Sequence, residues 1–342
     1  MNVLLIGEHA AAARVLQSLA ESGARIAAVM SSPPARHGPG LGLWSLASKF
    51  GYRTWPAELV KDSSFAAQVR DAGVDMIINV HSLFLIRKEV LEAPRLGSFN
   101  LHPSPLPRYA GLNPVSWAIY RGEKKHGVTL HKMAPDIDAG PVVYQEAVGI
   151  ESEDTGLSLT AKCASAGVPL VLRLLGAAAQ GPSNIPLSPQ DLTKREYFGR
   201  DAPANGNLCW RWPARRIVDF VRASDFFPFP SPWGAPRTKL ADATLGIAKA
   251  QLTGTPADAP PGMIGIERAG GVEVACADEW ILVRQVFRGG KYVPAKEALK
   301  AGDRLRDCAI TPASQIYCPP QQETRGSNFR LEPSSRDDLR QP

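Results

Sequence analysis

Two short segments carry residues able to do chemistry together. In SFNLHPSPLPRYAGLNP, residues 98–114, Asn100 and His102 stand two apart on an apolar run that breaks at Pro103, Pro105 and Pro107. Side chains at i and i+2 of a strand leave the same face, so the amide and the imidazole are neighbours. Each proline fixes its φ and lacks a backbone donor, which stops the strand and holds the following segment open. In APDIDAG, residues 134–140, Asp136 and Asp138 occupy a turn between two further apolar runs. A carboxylate brought from that turn to His102 favours imidazolium and orients a ring whose ordinary pKa, about 6.5, lies near working pH. Asn, His and Asp together stabilise an oxyanion and move a proton but supply no covalent nucleophile. That set suits acyl transfer directly between two bound substrates.

Such residues need a frame that brings strand ends together. NVLLIG at 2–7 reads as a buried strand, HAAAARVLQSLAESG at 9–23 as a helix closed by glycine, and RIAAVMS at 25–31 as a second buried strand. A helix near Leu43–Phe50, a short strand at Tyr52–Trp55, a helix within Ser64–Ala72 and the strand VDMIINV at 74–80 follow. GVTLHKM at 127–133 and PVVYQEAVGI at 141–150 are strand-like, and a helix spans much of Thr155–Ala179. Strands alternating with helices predict an α/β, Rossmann-like, mostly parallel sheet covered on both faces, with ligands beyond the carboxyl ends of its strands. Residues 1–180 are expected to form this catalytic domain. The Pro-, Gly- and Ser-rich stretch 181–207 reads as a linker. A helix at Pro213–Ala223 and the runs ATLGIAKAQL, GMIGIER, GGVEVACAD and EWILVRQVF predict a smaller OB-like β-barrel domain over 208–305. Residues 306–342 read as a flexible tail.

Composition narrows the class. Of 342 residues, 44% are hydrophobic and 21% charged, which excludes collagen-like and disordered chains. The net charge of +6 admits anionic ligands without demanding nucleic acid. Cys163, Cys209, Cys276, Cys308 and Cys318 form no C-x-x-C pair, so neither a zinc knuckle nor a disulfide framework is expected, and a reducing cytoplasm fits. The opening apolar run is too short for a signal peptide or a membrane span. Gly7 lacks the G-x-G-x-x-G setting of a dinucleotide site. His9, His37, His81 and His126 lack metal-ligand spacing, and His131 reads as a packed or surface residue of its strand.

FNLHPSPLPRYAG followed by GVTLHKMAPDIDAGPVV resembles the folate-dependent formyltransferases, among them methionyl-tRNA, glycinamide ribonucleotide and amino-sugar N-formyltransferases. The similarity extends from residue 1 to about 305, because FGRDAPANGNLCWRWPARRIVDFVRASDFFPFP looks like the region after the catalytic domain in the tRNA and amino-sugar members. The resemblance makes Asn100, His102 and Asp138 the catalytic set and 10-formyltetrahydrofolate the co-substrate. A neutral primary amine would attack the formyl carbon, His102 and Asn100 would donate to the oxyanion, and Asp138 would hold His102 and help the proton leave. Family members hold the pterin largely through backbone groups of two loops, which implies Phe84, Leu85 and Ile86, and Ala134, Pro135, Asp136 and Ile137. Ser104, Pro105, Leu106 and Pro107 stand where the family's S-L-L-P segment lines the folate pocket. Arg108, at the mouth of the site, is a candidate for an anionic group of the substrate or for the folate glutamate.

The acceptor is less determined. Transfer-RNA members carry a basic insertion after the second strand; here SSPPARHGPGLGLW offers Arg36 as its only fixed positive charge. The barrel mixes Arg and Lys with Glu273, Asp278 and Glu279. GSFNLHPS, GVTLHKM and FGRDAP look closer to amino-sugar enzymes, although Leu112 stands where those often place an arginine. A small-molecule amine, an amino-sugar nucleotide or a natural-product precursor, is therefore expected ahead of methionyl-tRNA, with no membrane partner. Release of formate by water on the same residues, a 10-formyltetrahydrofolate hydrolase, is the further alternative.

Overall fold

The first apolar run becomes the middle of a seven-stranded sheet. A computed structural model describes residues 1–34, 42–268 and 270–308. Strand β1 (Asn2–Gly7) is buried from Val3 onward and leads into α1 (His9–Glu21), whose Ala11, Ala12, Val15, Leu16 and Leu19 form a buried stripe at helical spacing. The chain continues through β2 (Arg25–Ser31), α2 (Leu43–Lys49), β3 (Thr54–Pro56), α3 (Phe65–Asp71), β4 (Met76–Val80), α4 (Lys88–Leu91) and β5 (Gly97–His102). Then come β6 (Ala110–Gly111), α5 (Pro114–Tyr120), β7 (Lys125–Lys132), β8 (Val142–Gly149) and α6 (Gly156–Gln180).

The strand order is β3-β2-β1-β4-β5-β7-β8. The first five are parallel, as the helix–strand alternation predicts. β7 and β8 join as an antiparallel edge, because no helix separates them and a hairpin reverses the chain. Helix α6 begins at a reciprocal cap, with Thr155 Oγ1 accepting from Ser158 N at 3.2 Å and Thr155 N donating to Ser158 Oγ at 2.9 Å. It is long and apolar enough to cross a membrane, but here Leu159, Cys163, Leu170, Val171 and Leu174 lie in the core beneath the sheet.

Residues 181–207 carry more order than their composition suggests. Three 3₁₀ turns, Pro182–Asn184, Leu192–Lys194 and Pro203–Gly206, flank β9 (Tyr197–Phe198), which pairs in parallel with β6. A two-residue strand has no periodicity for a pattern to reveal.

Beyond it lie α7 (Ala214–Ser224), β10 (Arg237–Leu240), β11 (Ala243–Pro256), β12 (Ile264–Arg268), β13 (Gly271–Ala275), β14 (Glu279–Arg288), β15 (Lys291–Pro294), α8 (Ala295–Ala298) and β16 (Leu305–Arg306). The antiparallel order β12-β13-β14-β11-β10-β16 closes on itself: Leu305 N donates to Gly262 O at 2.8 Å and Ile264 N to Asp303 O at 2.9 Å. Trp210, Ile217, Phe220, Ile247 and Val283 belong to its separate core. Tyr120 and Trp233 pack against both cores. Most of the tail expected at 306–342 lies outside the described residues, as do Arg36 and His37.

Candidate active site

The turn after β5 is held open by its own chain. Thr129 Oγ1 donates to Ser104 O at 2.6 Å and accepts from Leu106 N at 3.2 Å, and Ser104 Oγ donates to Arg108 O at 3.0 Å. The polar pair sits just before it, with Asn100 9% and His102 6% exposed. Register decides their surroundings. β4 places Asn79 beside Asn100, and its Nδ2 donates to Asn100 Oδ1 at 2.8 Å. β7 places His131 opposite Asn100, whose Nδ2 meets His131 Nε2 at 3.1 Å. His131 Nδ1 lies 3.1 Å from the Lys132 carbonyl, which only accepts, so the proton belongs on Nδ1 and Nε2 accepts from Asn100.

The third residue arrives on the turn between β7 and β8. Asp138 has a φ of 54°, left-handed backbone that a non-glycine residue rarely adopts. Gly140 follows in a place where any Cβ would strike the Lys132 carbonyl, so the turn folds tightly back toward β5. Asp138 Oδ2 accepts from Gly111 N at 2.8 Å and faces His102 Nδ1 at 3.6 Å. Its Oδ1 stands 3.4 Å from both Asn100 Nδ2 and His131 Nε2. His102 Nε2 lies 3.0 Å from the Tyr109 carbonyl, which assigns the His102 proton to Nε2 and leaves the Nδ1 lone pair toward Asp138.

Electrostatics follow from this packing. Burial alone raises the Asp138 pKa, but the positive charge that His102 takes on in acid, the His131 ring and the Gly111 N–H outweigh it and hold the carboxyl well below the usual range. Burial pushes His102 down more than Asp138 and the Tyr109 carbonyl push it up, so the ring is neutral at neutral pH. The pair is thus a carboxylate beside a neutral imidazole with one open proton position, suited to taking a proton from a nucleophile and stabilising the imidazolium that results.

Asn100, His102 and Asp138 therefore converge. Asp136 does not join them and is exposed. Phe84 and Ile86 pack against the apolar layer under β1 and β4, while Leu85 stands 73% exposed. Ala134 to Ile137 form the first part of the Asp138 turn, with Ile137 exposed and Ala139 N bonded to Asp136 O. Pro105 and Pro107 flank the buried Leu106. Arg108 is committed elsewhere: Nη2 to Glu123 at 2.5 Å and Nε to Glu196 at 3.2 Å. His131 and Asn79 complete the site although sequence reasoning missed them. Asn79 left a signal, an amide in an otherwise apolar strand; His131 left none, since only the β5–β7 register brings it to Asn100. Among the described residues no cluster of three or more His, Cys, Asp or Glu side chains forms a metal site.

Comparison with known proteins bears on this geometry. Residues 1–175 match the family described as formyl transferase, and residues 202–302 match the formyl transferase C-terminal domain. The methionyl-tRNA formyltransferase of Deinococcus radiodurans is 30% identical over 267 residues, covering 78% of this chain and 79% of that protein. Two solved structures share the fold. HypX from Aquifex aeolicus, in complex with tetrahydrofolic acid, has a TM-score of 0.64 at 18% identity, covering 87% of this chain and 46% of the longer HypX chain. An N-formyltransferase from Helicobacter canadensis, in complex with folinic acid and dTDP-3-aminofucose, has a TM-score of 0.62 at 19% identity, covering 82% and 98%.

Proposed function

Because this chain belongs to the formyl transferase family and is a formyl-transferring enzyme, we propose that it moves the formyl group of 10-formyltetrahydrofolate to the primary amine of a small molecule through Asn100, His102 and Asp138. The observation that carries this reading is the convergence of amide, neutral imidazole and carboxylate with an open proton position at His102 Nδ1. The donor supplies the formyl carbon, and the chain's residues manage charge and proton. A new C–N bond forms as the amine attacks, and the carbonyl oxygen gains negative charge. Asn100 Nδ2 exchanges its longer contact, 3.4 Å to Asp138, for that oxygen. His102, expected from the resemblance to donate to the oxyanion, has its Nε2–H on the Tyr109 carbonyl, so in this scheme its Nδ1 takes the proton leaving the attacking nitrogen, and both imidazolium N–H groups then face acceptors, Asp138 and the Tyr109 carbonyl. The proton passes to the folate nitrogen as its bond to the formyl carbon breaks. Exposed Leu85 and Ile137, in the two loops assigned to the pterin, offer apolar surface that suits a flat ring.

A small amine is favoured because the loop after β2 holds Arg36 as its only fixed positive charge, and the barrel domain sets Glu273, Asp278 and Glu279 among its Arg and Lys. Methionyl-tRNA is the second reading, supported by the Deinococcus relative. The test is incubation with 10-formyltetrahydrofolate and a panel of amines, nucleotide-linked amino sugars and methionyl-tRNA among them, followed by mass spectrometry. Formylation of a small amine, with Met-tRNA unchanged, is expected. Salt-sensitive binding and formylation of Met-tRNA alone overturns the acceptor, and formate release with no acceptor consumed makes the chain a hydrolase.

A further inference from the structure

The segment between the two matched regions touches the reacting residues from behind. Gln190 Nε2 donates to the carbonyls of Asp138, at 2.8 Å, and Gly140, at 2.6 Å. Both partners only accept, so the amide's orientation is fixed, and its buried Oε1 meets no hydrogen-bond partner among the described residues. Left-handed backbone at a non-glycine residue persists when the surroundings hold it, and these two bonds hold the turn on either side of Ala139. The same segment repeats the contact. Ser188 and Val142 exchange backbone bonds of 2.9 and 2.8 Å, Arg195 Nη2 donates to Ile137 O at 2.9 Å, and β9 accepts from Leu112 N at 2.9 Å. Ala110 N also donates to Glu196 O at 2.8 Å. The strand so backed, β6, is flanked by the Tyr109 carbonyl that His102 meets and supplies the Gly111 N–H that Asp138 accepts.

We propose that Gln190 is a positioning residue for formyl transfer, setting the Asp138 carboxylate against His102 and making the interdomain segment part of the catalytic apparatus. This rests on the roles given above to Asp138 and His102. Gln190 touches neither substrate in this scheme; it acts through the main chain of the Asp138 turn.

The experiment compares Gln190→Ala, Gln190→Glu and Asp138→Asn with the unaltered chain, measuring kcat, KM for both substrates, the pH profile of kcat and Tm. Gln190→Glu keeps the volume but faces two carbonyls with a carboxylate, so it carries the test should the alanine variant fold poorly. Both Gln190 variants are expected to lower kcat about tenfold or more with each KM within about threefold. The acid limb of the profile should move to lower pH, because His102 loses the charge that raises its pKa. His102 is otherwise faced or felt by His131 and His126 on β7, His81 after β4 and the Tyr109 carbonyl, none of which these variants alter. An unchanged kcat, or a lower Tm with unchanged activity per folded molecule and an unmoved acid limb, overturns the proposal. Asp138→Asn separates the layers: if it stays active, the catalytic assignment itself fails, whereas inactive Asp138→Asn beside normal Gln190 variants overturns the Gln190 role alone.

Discussion

Two charged clusters lie on either side of Tyr109, and they are built by opposite rules. Around Asp138 the side chains are 2–9% exposed, one carboxylate meets two imidazoles, and the charged-form contacts stand off at 3.4–3.6 Å. Around Arg108 the side chains are 16–45% exposed, and Arg108 and Arg121 meet Glu123 and Glu196 at 2.5–3.2 Å. Arg108 and Arg121 also lie over the Tyr109 ring. In the second cluster every charge is fixed and answered, since guanidinium does not titrate in the working range. The first holds no permanent cation, so its charge changes when a proton arrives. On the proposed reading, a site that must accept and release a proton cannot be neutralised once and for all, and that would separate it from a structural network of similar composition.

The sharpest way to break this contrast is to remove its moving parts. His102→Ala and Asp138→Ala should each lower kcat by at least ~10² per folded molecule, because they act on developing charge, and Asp138→Ala should also lower Tm, because the ionised carboxylate contributes stability at neutral pH. Near-normal turnover at saturating substrate would make the buried cluster structural too. Asn100→Ala should cost a similar or smaller factor, about 10²-fold, since it removes one oxyanion donor but leaves the proton path; steady-state kinetics at several pH values checks this.

Acid stability should report the histidines that flank the first cluster. Burial pushes His81 and His126 down to about 4, with the charge of His102 adding to both. Unfolded, each titrates near 6.5, so the unfolded chain takes up protons first. Stability is therefore full above about pH 6.5 and declines as pH falls toward 4, and His126→Gln should flatten that decline in Tm. The carboxylates lie outside this window. Asp138 and Glu123, both held low, contribute stability present above the unfolded carboxylate values of about 4 and lost below them.

The smallest effect is expected at the surface. Arg108→Ala should change unfolding free energy by under about 1 kcal/mol and leave each KM within about twofold, as measured by urea titration and kinetics. A tenfold rise in KM would instead make Arg108 the substrate anchor its place after the proline turn suggests.

Strand alternation and apolar runs made the parallel half of the sheet legible, because β1 and β4 are buried along nearly their whole lengths and β2 from Ala28 onward. Asn100 and His102 were legible only as a polar pair at the end of an apolar strand, a pattern that structural residues also make, and it was the resemblance to the formyltransferases that singled out Asp138 over Asp136. What stayed hidden depends on register and distance along the chain. His131 reaches Asn100 only through β7 pairing, and Gln190 reaches Asp138 across a stretch whose Pro and Gly content reads as a spacer. Arg108 was read for its charge alone, because Glu123 and Glu196, its partners, lie far off in sequence.

The aromatic joint has a consequence for grafting. Trp117 meets Trp233 edge-on at 5.0 Å, Tyr120 meets Phe220 at 5.2 Å, and Phe220 meets Trp233 at 6.2 Å, so rings from α5, α7 and the loop after it interlock. Exchanging the barrel wholesale would take from Trp117 and Tyr120 their ring partners across the joint, Trp233 and Phe220. A barrel grafted from elsewhere should therefore dock on α5 only if the rings equivalent to Phe220 and Trp233 travel with it.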